Sequence, residues 1–387
     1  MRNKRKIIII SIITIILILG IAIISVNGAI PLFGNGLNLM NASIAQKTVG
    51  SGLESAYIEW DNFANADGYN VYISNQNGGY TQLDNELIRL YKDGSSSYWR
   101  ADAVGLKAGN YKFKVVPIVD GNEDTASQVE SENITVEAHD RTGFAWVNGA
   151  TTGAYNLDGT IKDNANIIYV TEDTKNTVSL DVQTSSSGKV ENAKGLQNIL
   201  DLYKKGYEYK PLVVRIIGKV TDPSTLDGGD IVISGSGSDK RINCGITFEG
   251  IGEDATLYGY GIRVKNASNV EIRNIGVMLT DSDEGDSIGL QQENDHVWVH
   301  NCDLFYGEPG SDSDQVKGDG ALDCKKSTYI TFSYNHFFDT GKSNLLGLSE
   351  NTTDNLYITY HHNWYDHSDS RHPRIRFYSA HVYNNYY

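Results

Sequence analysis

The chain has 387 residues, room for two or three domains of about 100–200 residues each, and a formal net charge of −15. That charge excludes a nucleic-acid binder, which presents a basic surface, but leaves open a polyanionic ligand held by locally gathered cations or a bound metal. Cys244, Cys302 and Cys324 cannot all pair, so no disulfide framework is implied.

At the N-terminus, Arg2, Lys4, Arg5 and Lys6 precede an apolar run from Ile7 to Ile24, interrupted only by Ser11, Thr14 and Gly20. This is the pattern of an export signal or a membrane anchor over residues 1–27. No small-x-small cleavage site follows Val26 and the run is long for a signal, so an uncleaved anchor stays open. The remainder is expected to be secreted, or held at the cell surface.

A Gly/Asn-rich linker leads into short alternating segments: Tyr57-Ile-Glu-Trp60, Gly68-Tyr-Asn-Val-Tyr-Ile73, Tyr111-Lys-Phe-Lys-Val-Val116 and Ile134-Thr-Val136. Asn77-Gly-Gly79 and Ala108-Gly-Asn110 mark turns between them. Regular short strands with such turns predict a small β-sandwich over 45–137. Trp60 reads as a core tryptophan and Tyr111 as a tyrosine corner. The segment resembles a fibronectin type III domain. It holds no acid–base set, so a spacer role is expected.

An amphipathic stretch, Ala193 to Lys204, predicts a helix just before the strand Leu212-Val-Val-Arg-Ile-Ile-Gly218, suited to covering the open end of a solenoid. Beyond it the chain repeats itself. Val270-Glu-Ile-Arg-Asn-Ile275, Val297-Trp-Val-His-Asn-Cys302, Ile330-Thr-Phe-Ser-Tyr-Asn335, Ile358-Thr-Tyr-His-His-Asn363 and Ala380-His-Val-Tyr-Asn-Asn385 align without gaps. Their starts differ by 27, 33, 28 and 22 residues, so a fixed strand alternates with variable loops. That predicts an all-β chain: a right-handed parallel β-helix over 140–387, preceded by the sandwich. Asn335, Asn363 and Asn385 fall at one repeat position and are expected to stack at a bend. Cys302 and Cys324 are expected to be small core residues.

Within the repeats, Asp319 and Asp323 sit four apart, with Lys325 beyond them. Acidic residues flanking strands are usually only solvated. Glu284 and Asp286 lie one coil earlier, however, and adjacent coils are about 4.8 Å apart, so four carboxylates can converge on one hard cation. Lys342 and Ser370-Arg-His-Pro-Arg-Ile-Arg376 follow. Strand alternation would set Arg374 and Arg376 opposite Ile375.

From Gly143-Phe-Ala-Trp-Val-Asn-Gly149 to its end the chain resembles the pectate lyases of the parallel β-helix polysaccharide lyase class. The resemblance is carried by Ile246-Thr-Phe-Glu-Gly-Ile-Gly252, Asp319-Gly-Ala-Leu-Asp-Cys-Lys325, Tyr334-Asn-His-Phe337, His361-His-Asn-Trp364 and Arg371-His-Pro-Arg-Ile-Arg376. It implies that Glu284, Asp286, Asp319 and Asp323 hold Ca²⁺, that Lys325, Lys342 and Arg376 contact substrate carboxylates, and that Arg371 is the catalytic base. The implied partner is a homogalacturonan chain (pectate), cleaved by β-elimination: loss of the C5 proton, then expulsion of the C4 oxygen. A guanidinium is normally protonated, so a base of this kind requires neighbouring cations to disfavour that form. Two departures stand out. Trp298-Val-His-Asn301 replaces the family's common Trp-Ile-Asp-His, leaving the role of His300 open, and Glu284 stands where Asp is common.

Four rival readings compete with this one. A lyase for methyl-esterified pectin, or a non-catalytic β-helix adhesin, would have little use for four metal carboxylates. Arg371 and Arg376 could simply pair with Asp366 and Asp369. His361, His362, His367 and His372 could form a zinc site, but strand alternation predicts that His361 and His362 point to opposite faces, favouring ordinary packing. The matches to a glycosylation pattern at Asn41-Ala-Ser43 and Asn351-Thr-Thr353 are short enough to arise by chance. The protein is expected to be a monomer, and the β-helix to be truncated at its C-terminus, since the repeat pattern is still running at Tyr387.

Overall fold

The computed structural model describes residues 43–387 except 76, 222, 224, 225, 227, 284, 307–318 and 350–355. The apolar N-terminal run, Glu284 and Asn351-Thr-Thr353 lie outside the described residues. No helix among the described residues is long and apolar enough to cross a membrane.

The first strands form two packed antiparallel sheets. One is ordered Gln46–Gly52, Ser55–Trp60, Ser96–Val104, Ile88–Asp93; the other is built on Phe113–Val119 and Gly68–Ser74. Ser55–Trp60 and Gly68–Ser74 bury every second residue, which is why their alternation is legible in the sequence. Trp60 is fully buried and meets Tyr69 edge-on, ring centroids 5.1 Å apart. The Tyr111 hydroxyl donates to the Lys107 carbonyl, four residues upstream, at 2.7 Å.

The sandwich docks on the β-helix through polar contacts. Arg89 donates to Asp254 at 3.1 Å and to the Ile251 carbonyl at 3.0 Å, and Arg100 reaches Glu253 at 3.1 Å. Leu87, Ile217 and Ile251 close the junction with a small apolar cluster. Gly252, in the left-handed region at φ 76°, allows this approach: a Cβ there would lie 2.5 Å from both the Arg89 guanidinium and the Tyr91 hydroxyl.

The rest is a parallel β-helix. One face stacks Asn166–Val170, Leu212–Thr221, Ile246–Tyr258, Ser268–Arg273, Asp295–His300, Thr328–Ser333, Tyr357–His361 and Ser379–Tyr383. The aligned repeats are in register residue for residue: Val270 pairs with Val297, Val297 with Ile330, Ile330 with Ile358, and Ile358 with Ala380. Each register position delivers an apolar side chain to one stack, and Val270, Val297, Ile330 and Ile358 are fully buried. A fully buried side chain of this kind is worth about 1.5–3 kcal/mol.

One left-handed residue follows the strand on successive coils: Asn274, Asn301, Tyr334, His362 and Asn384, with φ between 51° and 56°. It turns the chain into the next short strand. The asparagine ladder lies beside this bend. Asn335 Nδ2 donates to Asn363 Oδ1 at 3.1 Å, and Asn363 Nδ2 to Asn385 Oδ1 at 3.0 Å. Cys302 and Cys324 are buried and unpaired with each other.

The helix is shorter than expected, Leu196–Tyr203, because Val190–Lys194 instead pairs with Ser179–Gln183. Leu196, Ile199, Leu200 and Tyr203 are buried, and Gln197 exchanges two hydrogen bonds with the Val232 backbone. The helix thus covers the first coil.

Candidate active site

A second parallel sheet of the solenoid stacks Ile231–Ser234, Ile262–Lys265, Asp286–Leu290 and Gly320–Cys324. The ladder then continues into less regular chain. Ala321, Leu322 and Cys324 donate to the carbonyls of Lys342, Ser343 and Leu345, while Ser343 and Asn344 donate to those of Ser370 and Arg371. Four consecutive layers therefore carry, in order, Asp286, Asp319 with Asp323, Lys342, and Arg371.

The register Asp286↔Gly320 and Gly289↔Asp323 sets Gly320 between two buried carboxylates. A Cβ at Gly320 would lie 2.6 Å from Asp286 Oδ1 and 2.7 Å from Asp323 Oδ1. Glycine is what lets both acids share that space. Asp319 extends from the strand's entrance and is half exposed.

Cations ring the acids. Lys342 Nζ lies 3.2 Å from Asp319 Oδ1, Lys325 Nζ 3.6 Å from Asp286 Oδ2, and Arg371 Nη1 3.9 Å from Asp323 Oδ2. The backbone N–H of Leu345 donates to Asp323 Oδ1 at 2.8 Å. Burial nonetheless pushes the Asp323 carboxyl up to about 6, against the opposing pull of the Leu345 N–H, Lys325 and Arg371; the charge of Asp319 adds to the rise. A carboxylate so desolvated favours a divalent cation over solitary ionisation. The donors are all oxygens, the set a hard cation takes, and the glycine-lined space between them fits Ca²⁺.

Arg371 has φ 65°, an uncommon conformation for a non-glycine residue, which turns its backbone carbonyl onto Asn344 N–H at 2.8 Å. Lys342, Ser370, Arg371, His372, Pro373 and Arg374 line an open cleft of ≈ 470 Å³. Arg376 sits one turn further on, its backbone N–H on the Leu346 carbonyl at 3.1 Å and its stem against Gly347. The expected alternation is not kept here. Residues 371–376 form a single bridge rather than a strand, and both Arg374 and Ile375 face solvent. The rival pairing of Arg371 with Asp366 is not what the structure shows: Arg371 faces Asp323, while Asp366 serves His336 at 3.5 Å and His367.

Sequence reasoning passed over Tyr306. It is buried on the coil between the two acid-bearing strands, and its phenol is pushed up by burial and by the charges of Asp286, Asp323 and Asp319. Only the stacking of coils places it there. His300 lies on a different face. It is buried, stacked on Trp298, and bonded to Glu271 at 3.1 Å, so it belongs to packing rather than to this cleft.

Comparison with known proteins agrees with this architecture. A family model described as "Pectate lyase" matches residues 122–387, starting within the last strands of the sandwich. The chain belongs to that family. A pectate trisaccharide-lyase from Bacillus licheniformis is 34% identical over 178 residues, which cover 46% of this chain and 49% of the relative. Pectate lyase A of Emericella nidulans is 38% identical over 157 residues, covering 38% and 46%. The chain thus spans about half the length of the curated relatives it matches. Among solved structures, a pectate lyase from a Bacillus species in complex with trigalacturonate aligns with a TM-score of 0.52 and 26% identity, over 64% of this chain and 68% of the other.

Proposed function

We propose that this chain cleaves de-esterified pectin, polygalacturonate, by Ca²⁺-dependent β-elimination on the Asp286/Asp323 face. The observation that carries the reading is Gly320 wedged between two buried carboxylates, with Lys342 and Arg371 on the adjoining layers. Asp286, Asp319 and Asp323 would hold the ion, and Glu284, adjacent in sequence, is a further oxygen donor. Bound there, Ca²⁺ would supply positive charge that draws in the substrate's carboxylates. Lys325, Lys342 and Arg376 orient the uronate carboxylates. Lys342 also neutralises charge that develops beside the reacting carbon. Arg371, positioned at the cleft by its turned backbone, takes the C5 proton; the C–H electron pair forms the C4=C5 double bond and the C4 oxygen leaves. The relatives named for pectate cleavage, and the neighbour bound to trigalacturonate, support this substrate. The test is absorbance of unsaturated product from polygalacturonate with and without a chelator. Full activity in excess chelator would refute the calcium requirement, and no product under any condition would refute the lyase reading.

The same reading assigns 140–387 as the lyase domain and 45–137 as a fibronectin type III-like module, supported by the buried Trp60 and the Tyr111 bond to Lys107. Its contacts with Asp254 and Glu253 suit a rigid buttress better than a free spacer. Residues 1–27 would export the enzyme or anchor it at the cell surface, and the protein would act as a monomer. Cell fractionation with N-terminal sequencing, and light scattering of the purified protein, check these assignments.

A further inference from the structure

At the end of a strand of the larger parallel sheet, two histidines and an aspartate come together. His361 ends the strand Tyr357–His361 and points outward, buried beneath the segment that enters from the sandwich. Strand alternation would turn His362 to the other side. It does not, because His362 is the left-handed bend residue of its coil, φ 55°. The bend folds its imidazole back, so that the two Nδ1 atoms face each other at 2.8 Å with the rings nearly perpendicular. Asp140, from the entering segment, completes the group: one ligand atom from each residue lies within 4.8 Å of the other two.

We propose that Asp140, His361 and His362 form a site for a borderline transition-metal dication such as Zn²⁺, distinct from the hard-cation site on the carboxylate face. Two imidazoles and one carboxylate are donors that suit such an ion, and three protein ligands leave one position for water. Without metal, two nitrogens at 2.8 Å must share a single proton; a cation replaces that proton and satisfies both rings. The ligands are also oriented from outside. Tyr334 donates to Asp140 Oδ2 at 3.2 Å and stacks on His362 at 4.7 Å, while Tyr383 stacks on His361 at 5.2 Å. Asp140 and His362 are partly exposed, which gives an ion a route in from solvent. Bound there, it clasps the entering segment to a coil more than two hundred residues later, so its role is to lock the segment onto the solenoid.

The experiment uses the full chain, stripped with chelator and returned to excess Ca²⁺ so that the carboxylate face is occupied. Zn²⁺ is then titrated by calorimetry, Co²⁺ by its visible spectrum, and thermal unfolding is followed with and without Zn²⁺. One equivalent should bind, with tetrahedral Co²⁺ absorption and a raised unfolding midpoint. His362→Ala and Asp140→Asn should each remove all three signals while leaving Ca²⁺-dependent turnover unchanged, and Tyr334→Phe should weaken binding by about tenfold or more. His367→Ala, an exposed histidine elsewhere, should change nothing. Absence of binding, binding that survives both His362→Ala and Asp140→Asn, or binding lost in His367→Ala would overturn the site.

Discussion

The two outer faces of this β-helix handle charge in opposite ways. On the cleft face, Asp286, Asp319 and Asp323 sit beside Lys325, Lys342 and Arg371 at 3.2–3.9 Å, mostly too far for tight pairing. On the other face, beneath the segment entering from the sandwich, charges are closely satisfied. Arg215 meets Glu249 at 2.9 Å, Arg273 meets Glu249 at 2.7 Å, and Glu54 from the sandwich lies between Arg141 and Arg273. Glu249 is fully buried, yet its carboxyl is held below the usual range because the two arginines outweigh burial. Asp323, equally buried, is pushed the other way. One face spends its ion pairs on structure, and the other leaves a carboxylate cluster whose charge is best compensated by a ligand.

Mutations on each face should separate these roles. The largest effect belongs to the cleft. Arg371→Lys keeps the charge but not the fork geometry, and should lower turnover by about 10²–10⁴-fold with the unfolding midpoint unchanged. Near wild-type turnover across the pH range would place the base elsewhere. Asp323→Asn should abolish Ca²⁺-dependent turnover, with a midpoint equal to or above wild type in the absence of metal, because it removes a buried, under-compensated charge. A large loss of stability instead would mean that Asp323 is structural.

The other face should answer in stability. Glu249→Gln leaves Arg215 and Arg273 buried without their shared carboxylate and should cost about 3–5 kcal/mol in denaturant unfolding. Turnover per folded molecule should be retained; a selective loss of turnover would erase the contrast between the faces. Asn363→Ala interrupts the ladder between Asn335 and Asn385, with an expected cost of about 1–3 kcal/mol and no effect on Ca²⁺ affinity.

The smallest effect is a pH dependence. His336 bonds Asp303 and Asp366, and its pKa is raised from 6.5, chiefly by the hydrogen bond to Asp303. A raised histidine pKa contributes stability that is fully present below 6.5 and lost as pH rises through the folded-state value. The difference in midpoint between wild type and His336→Asn should therefore be larger in mildly acidic than in alkaline buffer. A difference independent of pH would assign His336 to stacking on Trp364 alone.

The sequence by itself determined the repeat. Apolar alternation is a local property with a period of two, so aligning Val270, Val297, Ile330, Ile358 and Ala380 amounts to reading the backbone register. Asp286 and Asp323 meet at Gly320 because the strands Asp286–Leu290 and Gly320–Cys324 pair in parallel one coil apart, a spacing the repeat already implied. Trp60 and the asparagine ladder were legible for the same reason. What the sequence left open depends on chain far away. Arg371 faces Asp323 rather than Asp366 because the layers at 342–347 and 370–376 pair as irregular backbone that alternation does not describe. Tyr306 reaches the acids only through coil stacking. His361 and His362 meet because a left-handed bend cancels the alternation between them, and Asp140 joins them because the segment leaving the sandwich crosses that coil. Only the tertiary structure decides such contacts, since nothing in the local pattern records which distant segment covers a given face.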